Sequence, residues 1–522
     1  MRLKILLFLL FGLNYVKSYR ILGVFPMAAG SHHLLASKLM KGLAEAGHDI
    51  TMISPYKLKS PPKNGTFTDI VLEELVDDFD ERVLNTENQN LYEFENRGVL
   101  ERIKLVTDLF WKPVNITLHH PKVKKLIESD QKFDAMIMEQ FNNEAIKVFS
   151  HIYQCPLILL SSMGANAWVN PTVGNPGPVS YIPHILYTGD KDQQQTFYWR
   201  LKNLFVYVAE YLYNIYYTHP KHSKLMHEVF PNAPEIYDLR TNASLVLLNS
   251  HTSYFSALPV VPNMVEIGGF FIDPPQKLPE DLQKFMDDAK DGVIYFSMGT
   301  NLRSKDLPEE KKQMFLKVLG KLKQKVIWKF ETDLPGKPSN MMIRNWLPQQ
   351  DILAHPNTKL FITHGGLLGA AEAIHYGVPM LAIPVFHDQP ENAARAERDG
   401  YALKIDYRDP NFTEQTFNNM LQALLNDPKY TENVKRRSRL FHDRPMKPMD
   451  VARYWVDYVI RHKGADHLKV AGRKMPWYQY FMVDVVLFLA VAFVLVLKVI
   501  KFVLVRICCS AKRRNNIKLK EN

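Results

Sequence analysis

The chain has 522 residues, of which 46% are apolar and 23% are charged, which is ordinary for a globular protein and long enough for two domains with appendages. The formal net charge of +11 is concentrated at the two ends, in residues 1–18 and 498–522. The body between them is nearly neutral, so it lacks the positive surface that a nucleic-acid-binding protein needs.

The first segment, residues 1–18, has the features of a secretory signal peptide. It has a basic start, an apolar run over Ile5–Leu13, and Val16 and Ser18 at the small-residue positions before a cleavage site. A signal peptide directs the following chain into the lumen of the endoplasmic reticulum. Sequons for N-glycosylation fit that compartment. Their acceptor residues are Asn64, Asn115, Asn242 and Asn411.

Residues 19–270 are predicted to form an N-terminal domain that opens as strand, loop, helix and strand. A buried strand is expected at Tyr19–Phe25, a small-residue loop at Ala28–His32, an amphipathic helix at His33–Ala46 and a second strand at Asp49–Ser54. This order is typical of a doubly wound α/β domain with a parallel sheet.

His32 is a candidate general base, since an imidazole beyond the carboxyl end of the first strand titrates near working pH and can deprotonate a hydroxyl. His33 is a competing candidate, and a capping or solvent-facing histidine is the structural alternative. A further strand at Phe133–Met138 would place Glu139 at its tip. Residues 170–235, rich in Pro, Tyr and Phe, are predicted to form loops and helices that line an apolar cleft for a lipophilic ligand.

The chain changes character around residues 262–290, which we interpret as a linker to a second domain over 271–470. A strand at Val293–Phe296 ends in a small-residue turn, Ser297–Thr300, whose N–H groups can hold phosphate. Alternating helices and strands then predict a second doubly wound domain. These elements are a helix over Leu307–Leu322, strands over Val326–Phe330 and Met341–Asn345, and a last helix over Asp450–His462.

The stretch Trp346–Gln389 contains a strand, a glycine turn and a helix in direct succession. Leu360–Thr363 is apolar and β-capable, His364–Gly366 is the turn, and Leu367–His375 has helical spacing. A helix start preceded by glycines offers unpaired N–H groups and about +0.5 of an elementary charge, which suits a phosphate.

Polar residues of this stretch extend the candidate site. His364 can donate to the same anion, Glu372 shares its face of the helix and can accept from two sugar hydroxyls, and Asp388 with Gln389 follows the next strand at the edge where open α/β sheets bind ligands. Each residue alone has a structural interpretation: Trp346 as core, Glu372 as solvated helix face and Asp388 as turn. Their combination indicates a binding site.

The stretch resembles the signature of the UDP-glycosyltransferases of the UDP-glucuronosyltransferase type. The shared motifs are W-x-P-Q, T-H-G-G, E-A, G-V-P-M and the final D-Q, and the resemblance continues through His442–Asp450 and Arg461–Val470. The GVF near the start and THGGLLG are closest to arthropod members, which tend to use UDP-glucose. The resemblance implies a GT-B fold of two Rossmann-like domains with an interdomain cleft.

The resemblance also implies roles for individual residues. His32, which follows a serine, would be the catalytic base, oriented by Glu139 at a place where the family usually has Asp. Leu368 departs from the Asn of many vertebrate members. The donor-binding residues would be Trp346 and Gln349 for uracil, Ser297, His364 and Gly369 for the diphosphate, Glu372 for the ribose, and Asp388 with Gln389 for the sugar hydroxyls.

A second strongly apolar stretch, Phe481–Val505, follows the domains. It predicts a transmembrane helix over about 482–505, with Lys498 and Lys501 snorkelling, and a basic tail over 506–522 that stays cytosolic. Lys518 and Lys520, five and three residues from the end of the tail, resemble a dilysine retrieval signal. We therefore expect a single-pass type I protein of the endoplasmic reticulum membrane with luminal domains.

The predicted activity is inverting transfer of glucose or glucuronic acid from a UDP-sugar to a hydroxyl of a small lipophilic acceptor. UDP-sugar is a co-substrate, and no metal is expected because no Asp-x-Asp motif lies near the site; helix N-termini and His364 would supply positive potential to the leaving diphosphate. Two alternatives stay open: transfer to an endogenous lipid such as ceramide, and a non-catalytic lipophile-binding relative, suggested by Glu139 and Leu368. Assembly as a homo-oligomer or a hetero-oligomer is also left open.

Overall fold

Two parallel β-sheets form the framework of the computed structural model, which describes residues 18–84, 92, 98–187 and 196–518. Residues up to Lys469 form one compact unit and those from Val470 form a second. The predicted signal peptide, apart from Ser18, lies outside the described residues, as does the end of the basic tail from residue 519.

The first sheet has the strand order β3-β2-β1-β4-β5-β6-β7, and all of its neighbouring strands are parallel. Its central strands are apolar on both faces because helices cover both sides of the sheet. The strands are β1 (Arg20–Val24), β2 (Asp49–Ser54), β3 (Thr66–Val71), β4 (Ala135–Glu139), β5 (Leu157–Ser161), β6 (Ala243–Leu248) and β7 (Met264–Glu266). The helices are α1 (Gly30–Glu45), α2 (Glu74–Phe79), α3 (Val99–His119), α4 (Pro121–Ile127), α5 (Val148–Ile152), α6 (Asn170–Val173), α7 (Phe197–Tyr213), α8 (His219–Val229) and α9 (Ile236–Arg240).

The second sheet repeats this topology with the order β10-β9-β8-β11-β12-β13, again parallel throughout. Its strands are β8 (Val293–Ser297), β9 (Lys325–Lys329), β10 (Met341–Arg344), β11 (Thr358–Thr363), β12 (Met380–Ala382) and β13 (Ala402–Lys404). Its helices are α10 (Glu280–Asp287), α11 (Glu309–Leu319), α12 (Gln349–Ala354), α13 (Leu367–Tyr376), α14 (Gln389–Arg398), α15 (Glu414–Asn426) and α16 (Pro428–His442). Two Rossmann-like doubly wound domains are thus confirmed, while the boundary at 270/271 stays a prediction.

Strand order reverses at one place in each sheet, between β1 and β4 in the first and between β8 and β11 in the second. The loops that leave the carboxyl ends of the strands diverge there and open a crevice, which is the usual ligand site of such sheets. Each reversal therefore marks a place where side chains from distant parts of the sequence come together.

Helix α17 (Pro448–Arg461) crosses from the second domain back to the first. It packs against α1 and β6 and buries Ala452, Val456 and Val459. The predicted last helix is confirmed, and its apolar stripe explains why residues of both domains share one continuous core.

The predicted first helix begins three residues too late. The structure starts α1 at Gly30, because the first turn of a helix leaves its N–H groups unpaired and so tolerates glycine and serine. His32 consequently lies in the first turn of α1 rather than on a loop. Strands β3, β6, β7 and β13 were not predicted.

The second unit contains α18 (Trp477–Tyr480) and the long helix α19 (Val483–Lys518). Within α19, Val483–Ala511 is long and apolar enough to cross a membrane, and an 18-residue window of it has a mean hydropathy of 2.8. The predicted span over 482–505 therefore coincides with a candidate membrane helix.

Candidate active site

A cavity of about 1090 Å³ lies between the carboxyl edges of the two sheets. It brings together nearly all of the residues that the sequence nominated from both domains, including residues more than 350 positions apart. The predicted residues that line it are His32, Ser297, Trp346, Gln349, His364, Gly369, Glu372, Asp388 and Gln389. Glu139 does not line the cavity but lies directly behind His32.

The His32–Glu139 pair joins the first turn of α1 to the end of β4, at the reversal point of the first sheet. Nδ1 of His32 lies 2.6 Å from Oε1 of Glu139, which ends β4 and is buried. An ionised carboxylate accepts hydrogen bonds but cannot donate one, so Nδ1–H of His32 donates and Nε2 keeps its lone pair as the basic nitrogen. The longer side chain of glutamate therefore reaches the imidazole at hydrogen-bond distance.

The two neighbouring histidines have opposite electrostatic surroundings. Burial lowers the pKa of His32, but the carboxylate of Glu139 and, less strongly, Asp388 raise it more, so this pKa lies above 6.5. Burial and Lys59 lower the pKa of His33 to about 4. Nδ1 of His33 has no hydrogen-bond partner among the described residues. Only His32 combines the basicity and the orientation that a general base needs.

His364 sits between two glycine-containing turns at the reversal point of the second sheet. A Cβ atom on Gly299 would lie 2.6 Å from the His364 ring, so that glycine is required for the close approach. Burial lowers the pKa of His364 to about 4, which keeps the ring neutral at pH 7. His364 can donate a hydrogen bond but does not carry the positive charge that we expected of it.

Positive potential at this end of the cavity comes from other groups. The N-terminus of α13 begins at Leu367, directly after the glycine turn. Lys329 also lines the cavity, and its Nζ lies 2.7 Å from Oε1 of Glu331. Sequence reasoning missed Lys329 because it lies at the end of a strand that reads only as core.

Glu372 is buried in a hydrogen-bond network and does not lie on a solvated helix face. Its Oε2 accepts from Nε2 of Gln349 at 2.5 Å and its Oε1 from Nε2 of Gln350 at 2.8 Å, while the Tyr295 hydroxyl donates to Oε1 of Gln349 at 3.2 Å. Burial raises the pKa of Glu372 to about 7. A Cβ atom on Gly369 would lie 3.3 Å from the Phe361 ring and 3.6 Å from Nε2 of Gln349, so the closest approach at this glycine is to Phe361.

Trp346 lies at the mouth of the cavity with 60% of its surface exposed, so it is not a core residue. Nζ of Lys59, from the N-terminal domain, lies 5.1 Å from the centre of its ring. The exposed indole therefore offers a flat stacking surface that both domains border.

Asp388 and Gln389 present their polar groups from the start of α14. Oε1 of Gln389 accepts from the N–H groups of Val385 and Phe386 at 2.9 and 3.1 Å, which leaves its amide nitrogen for a ligand. Burial raises the pKa of Asp388, but hydrogen bonds from His387 and Asn392 outweigh that effect, so its pKa lies below 3.8. The side chain is an anion at neutral pH.

An aromatic wall beside His32 was not predicted. The ring of Phe141 packs against His32, Phe110 and Trp168 with centroid distances of 5.1, 4.3 and 4.6 Å, and against His387 of the other domain at 6.5 Å. Phe110 belongs to α3, and the apolar spacing of that helix could have predicted that Phe110 lies on its buried side.

The expectation that residues 170–235 line the apolar cleft is wrong for the described part of that range. None of its described residues lines the cavity. The apolar lining comes instead from α2 to α3 and from two loops, namely Phe79, Val83, Leu105, Val106, Leu109, Phe110, Phe141 and Met163. Aromatic composition did not distinguish a helix that faces a cavity from one that faces outward.

An Asp-x-Asp pattern does occur near the site, at Asp78–Asp80. It lies beside the cavity, since its middle residue, Phe79, is one of the lining residues. Neither carboxylate is among the lining groups. Asp78 is buried and lies 2.5 Å from Nζ of Lys112. The pattern therefore serves a structural ion pair, and the expectation of metal-independent chemistry stays a prediction.

The sequons differ in their surroundings. Asn64, Asn242 and Asn411 are exposed outside helices and strands, whereas Asn115 is half-buried within α3. Attachment of glycans at all four positions stays a prediction, with Asn115 in the least accessible place.

Comparison with known proteins identifies the family. Residues 20–519 match the family model described as UDP-glucoronosyl and UDP-glucosyl transferase. The chain is 37% identical over 496 residues to UDP-glycosyltransferase UGT5 of Dactylopius coccus, covering 93% of this chain and 91% of that protein. It is 29% identical over 501 residues to UDP-glucuronosyltransferase 2B15 of Homo sapiens, covering 93% and 92%.

Solved structures show the same fold at low sequence identity. The calicheamicin glycosyltransferase CalG4 has a TM-score of 0.58 at 16% identity, over 85% of this chain and 99% of that one. The glycotransferase of kitacinnamycin has a TM-score of 0.54 at 16% identity, over 86% and 100%. With its two parallel sheets and the cleft between them, the chain has the GT-B fold and belongs to the family of UDP-glucuronosyl and UDP-glucosyl transferases, enzymes that transfer a sugar from a UDP-sugar donor.

Proposed function

We propose that this enzyme transfers a hexosyl group, glucose or glucuronic acid, to a hydroxyl of a small lipophilic acceptor with inversion at the anomeric carbon. The observation that carries the proposal is the His32–Glu139 pair, which opens on the same cavity as Asp388 and the nucleotide-sugar signature. A general base on one domain and a donor site on the other are the two parts that such a transfer needs.

The donor would lie along the second sheet. Trp346 stacks on the uracil, whose edge meets Gln349, and Glu372 accepts from the ribose. The diphosphate lies against the start of α13, Ser297, His364 and the space at Gly369. Asp388 and the amide nitrogen of Gln389 then hold the sugar hydroxyls, which directs the anomeric carbon towards His32.

Proton transfer would follow from the tautomer of His32. Nε2 takes the proton of the acceptor hydroxyl while the acceptor oxygen attacks the anomeric carbon, and the bond between that carbon and the UDP oxygen breaks on the opposite face. Glu139 stabilises the imidazolium that forms. The electron pair leaves with UDP, whose charge meets the helix terminus and Lys329.

The acceptor class follows from the wall around His32. Phe110, Phe141, Leu105 and Leu109 offer apolar and aromatic contact next to the base, so lipophilic phenols and alcohols fit better than sugars or peptides. A long lipid such as ceramide is the second candidate, supported by the same apolar lining. A lipophile-binding relative without activity is disfavoured, because Glu139 reaches His32.

The cellular setting completes the proposal. A signal peptide at the N-terminus and one membrane helix within Val483–Ala511 would make a single-pass type I glycoprotein of the endoplasmic reticulum, with both domains in the lumen. Lipophilic compounds concentrate at that membrane, so the location suits conjugation or detoxification.

The activity is tested by measuring UDP release from UDP-glucose and from UDP-glucuronic acid with a panel of phenols, steroids and ceramide. We expect acceptor-dependent release with at least one donor, and NMR of the glycoside should show the β-configuration from the α-linked donor. Donor hydrolysis that does not respond to any acceptor would contradict transferase activity, and an α-product would contradict inversion.

The paired variants His32→Gln and His33→Gln test the assignment of the base. We expect His32→Gln to lower kcat by roughly 10²–10⁴-fold, since a positioned base contributes about that factor. His33→Gln is the matched control, because His33 lines the same cavity without a carboxylate partner among the described residues, and it should retain kcat within a few-fold. Equal losses in both variants would contradict the assignment.

The pH dependence of kcat/KM tests the role of Glu139. His32 acts as a base only when neutral, so kcat/KM should rise as pH increases through its pKa, which Glu139 holds above 6.5. In Glu139→Gln the carboxylate is lost while burial remains, so the acid limb should move to lower pH and the plateau should fall at least about tenfold. An unmoved limb would show that Glu139 does not act through His32.

The pH dependence of the donor KM tests Glu372, whose pKa is about 7. The ionised carboxylate accepts stronger hydrogen bonds than the acid, so the donor KM should fall between pH 6 and pH 8 at saturating acceptor. Glu372→Gln cannot ionise and should remove this step, with a donor KM about tenfold higher at pH 8. A step that persists in this variant would belong to another group.

A further inference from the structure

Helix α14 carries the candidate sugar-binding residues at its start and a buried arginine two turns later. Asp388, Asn392 and Arg395 are spaced by four and three residues, so they lie along one face of the helix. Nδ2 of Asn392 donates to Oδ2 of Asp388 at 2.7 Å, which holds the carboxylate on that face. Asp388 lines the cavity, whereas Arg395 is 8% exposed. The face of α14 that borders the cavity therefore continues into a buried contact.

This contact is made with the first domain. Nη1 of Arg395 donates to the main-chain carbonyl of Tyr254 at 3.2 Å, and its guanidinium lies 4.8 Å from the centre of the Phe255 ring. Both of these residues belong to the loop that follows β6. Nη2 of Arg395 lies 3.5 Å from Oε1 of Glu391 on its own helix. Arg395 thus joins the helix that starts at the donor site to a loop of the other domain.

A second arginine holds the same loop. Nη1 of Arg437, in α16, donates to the carbonyl of Ser253 at 3.1 Å, and its guanidinium pairs with Asp399, the residue after α14. Ser253 and Tyr254 are both buried. Two adjacent carbonyl groups of the first domain thus each accept a charge-assisted hydrogen bond from the second. We call these two arginines and two carbonyl groups the arginine clasp.

On the side of the first domain, the clasp continues to the loop that follows β5. A Cβ atom on Gly164 would lie 2.4 Å from the Phe255 ring, so the ring packs directly on this glycine. Ser162, in the same loop, lines the cavity. Strand β5 pairs with β4, which ends at Glu139. The clasp therefore links α14 to the strand that supplies the carboxylate behind His32.

Stability alone does not account for a buried arginine at this place. Nε of Arg395 and Nε of Arg437 have no hydrogen-bond partner among the described residues, so part of the desolvation cost of each guanidinium is uncompensated. An apolar side chain in place of a buried ion is often neutral or stabilising. What apolar packing lacks is a bond directed at one carbonyl oxygen, and such a bond specifies a position.

We propose that Arg395 is a positioning residue that sets the distance between the sugar at the start of α14 and the base on α1. The inference rests on the proposed function. Inverting transfer needs the acceptor oxygen, the anomeric carbon and the leaving oxygen in line, and a misplacement of about 1 Å costs roughly 10²-fold in rate. Asp388 and Gln389 move with α14 as one helix, so an anchor of that helix on the first domain fixes both relative to His32.

Variants of Arg395 test this role, with Arg398→Met as the matched control. Arg398 lies three residues later on α14, has a 47% exposed side chain and pairs with the same Glu391. In Arg395→Met we expect the kcat of transfer to fall about 10–100-fold. The Kd for UDP should stay unchanged, because Trp346 and helices α12 and α13 would hold the nucleotide. Arg395→Lys keeps one charged donor and should restore most of the lost kcat, and Arg398→Met should match the unmodified chain.

Three kinetic outcomes would overturn the proposal. An unchanged kcat in Arg395→Met would show that the anchor does not affect the chemistry. A loss of UDP affinity as large as the loss of kcat would show that the arginine only maintains the second domain. An equal loss of kcat in Arg398→Met would show that any change of charge on α14 has this effect.

Distances between the domains test the clasp without reference to activity. Spin labels are placed on the full chain at Lys125→Cys in α4 and Glu310→Cys in α11, both of which are exposed. Alanine first replaces the free cysteines, which are Cys155, Cys508 and Cys509. We expect the distribution of distances between the labels to be about twofold broader in Arg395→Met than in Arg398→Met or the unmodified chain, since the domains gain freedom about their hinge.

Equal widths in all of these chains would overturn the clasp. Absence of transfer to any acceptor by the unmodified chain would refute the proposed function instead, and the widths would still decide whether Arg395 holds the two domains in one arrangement.

Discussion

The hydrogen bond between His32 and Glu139 is the contact on which the arrangement of the cavity depends. It exists because β1 and β4 are neighbours at the point where the strand order of the first sheet reverses, although the two residues are 107 positions apart in the sequence. A parallel sheet delivers the ends of both strands to the same edge, and the second sheet delivers Ser297 and His364 to its own edge in the same way. Helix α17 follows the second domain and packs against α1 and β6 of the first, and the two sheet edges border one cavity. The geometry of the candidate site is thus a consequence of topology, and the hydrogen bond between His32 and Glu139 fixes the orientation of the imidazole.

Burial controls the charge of nearly every titratable group around the cavity, and it acts differently according to the partners available. His364 lacks a close acid strong enough to offset burial and is neutral, while His32 has Glu139 and is more basic than usual. Asp388 has hydrogen-bond donors and stays an anion, whereas Glu372 has only amide donors and titrates near neutrality. The site therefore holds one base, one fixed anion and one neutral donor within a shared low-dielectric space. This separation of pKa values is what allows similar side chains to serve different purposes.

Sequence reasoning recovered the parts of the site that are contiguous or that follow from strand order. The stretch Trp346–Gln389 carries its strand, turn and helix in one segment, so its residues were found together. Glu139 was found because the end of a strand can be located from its apolar run. Phe141, Trp168 and His387 were missed, because they meet only through tertiary packing and no local pattern marks them. The neutral state of His364 was missed for a related reason, since burial is not visible in the sequence.

The error over residues 170–235 has a physical explanation that links the outer surface to the active site. An amphipathic pattern indicates that a helix has an apolar side, but it does not indicate whether that side contacts protein, ligand or lipid. In α7 the buried side carries the polar residues Asn203 and Glu210 beside Trp199 and Val206, and Glu210 holds it to Trp168. The Trp168 ring packs on Phe141, and Phe141 packs against the edge of His32. A helix whose aromatic residues suggested a substrate pocket thus takes part in the site through its polar residues. Glu210 is linked to the imidazole of His32 through a chain of three contacts.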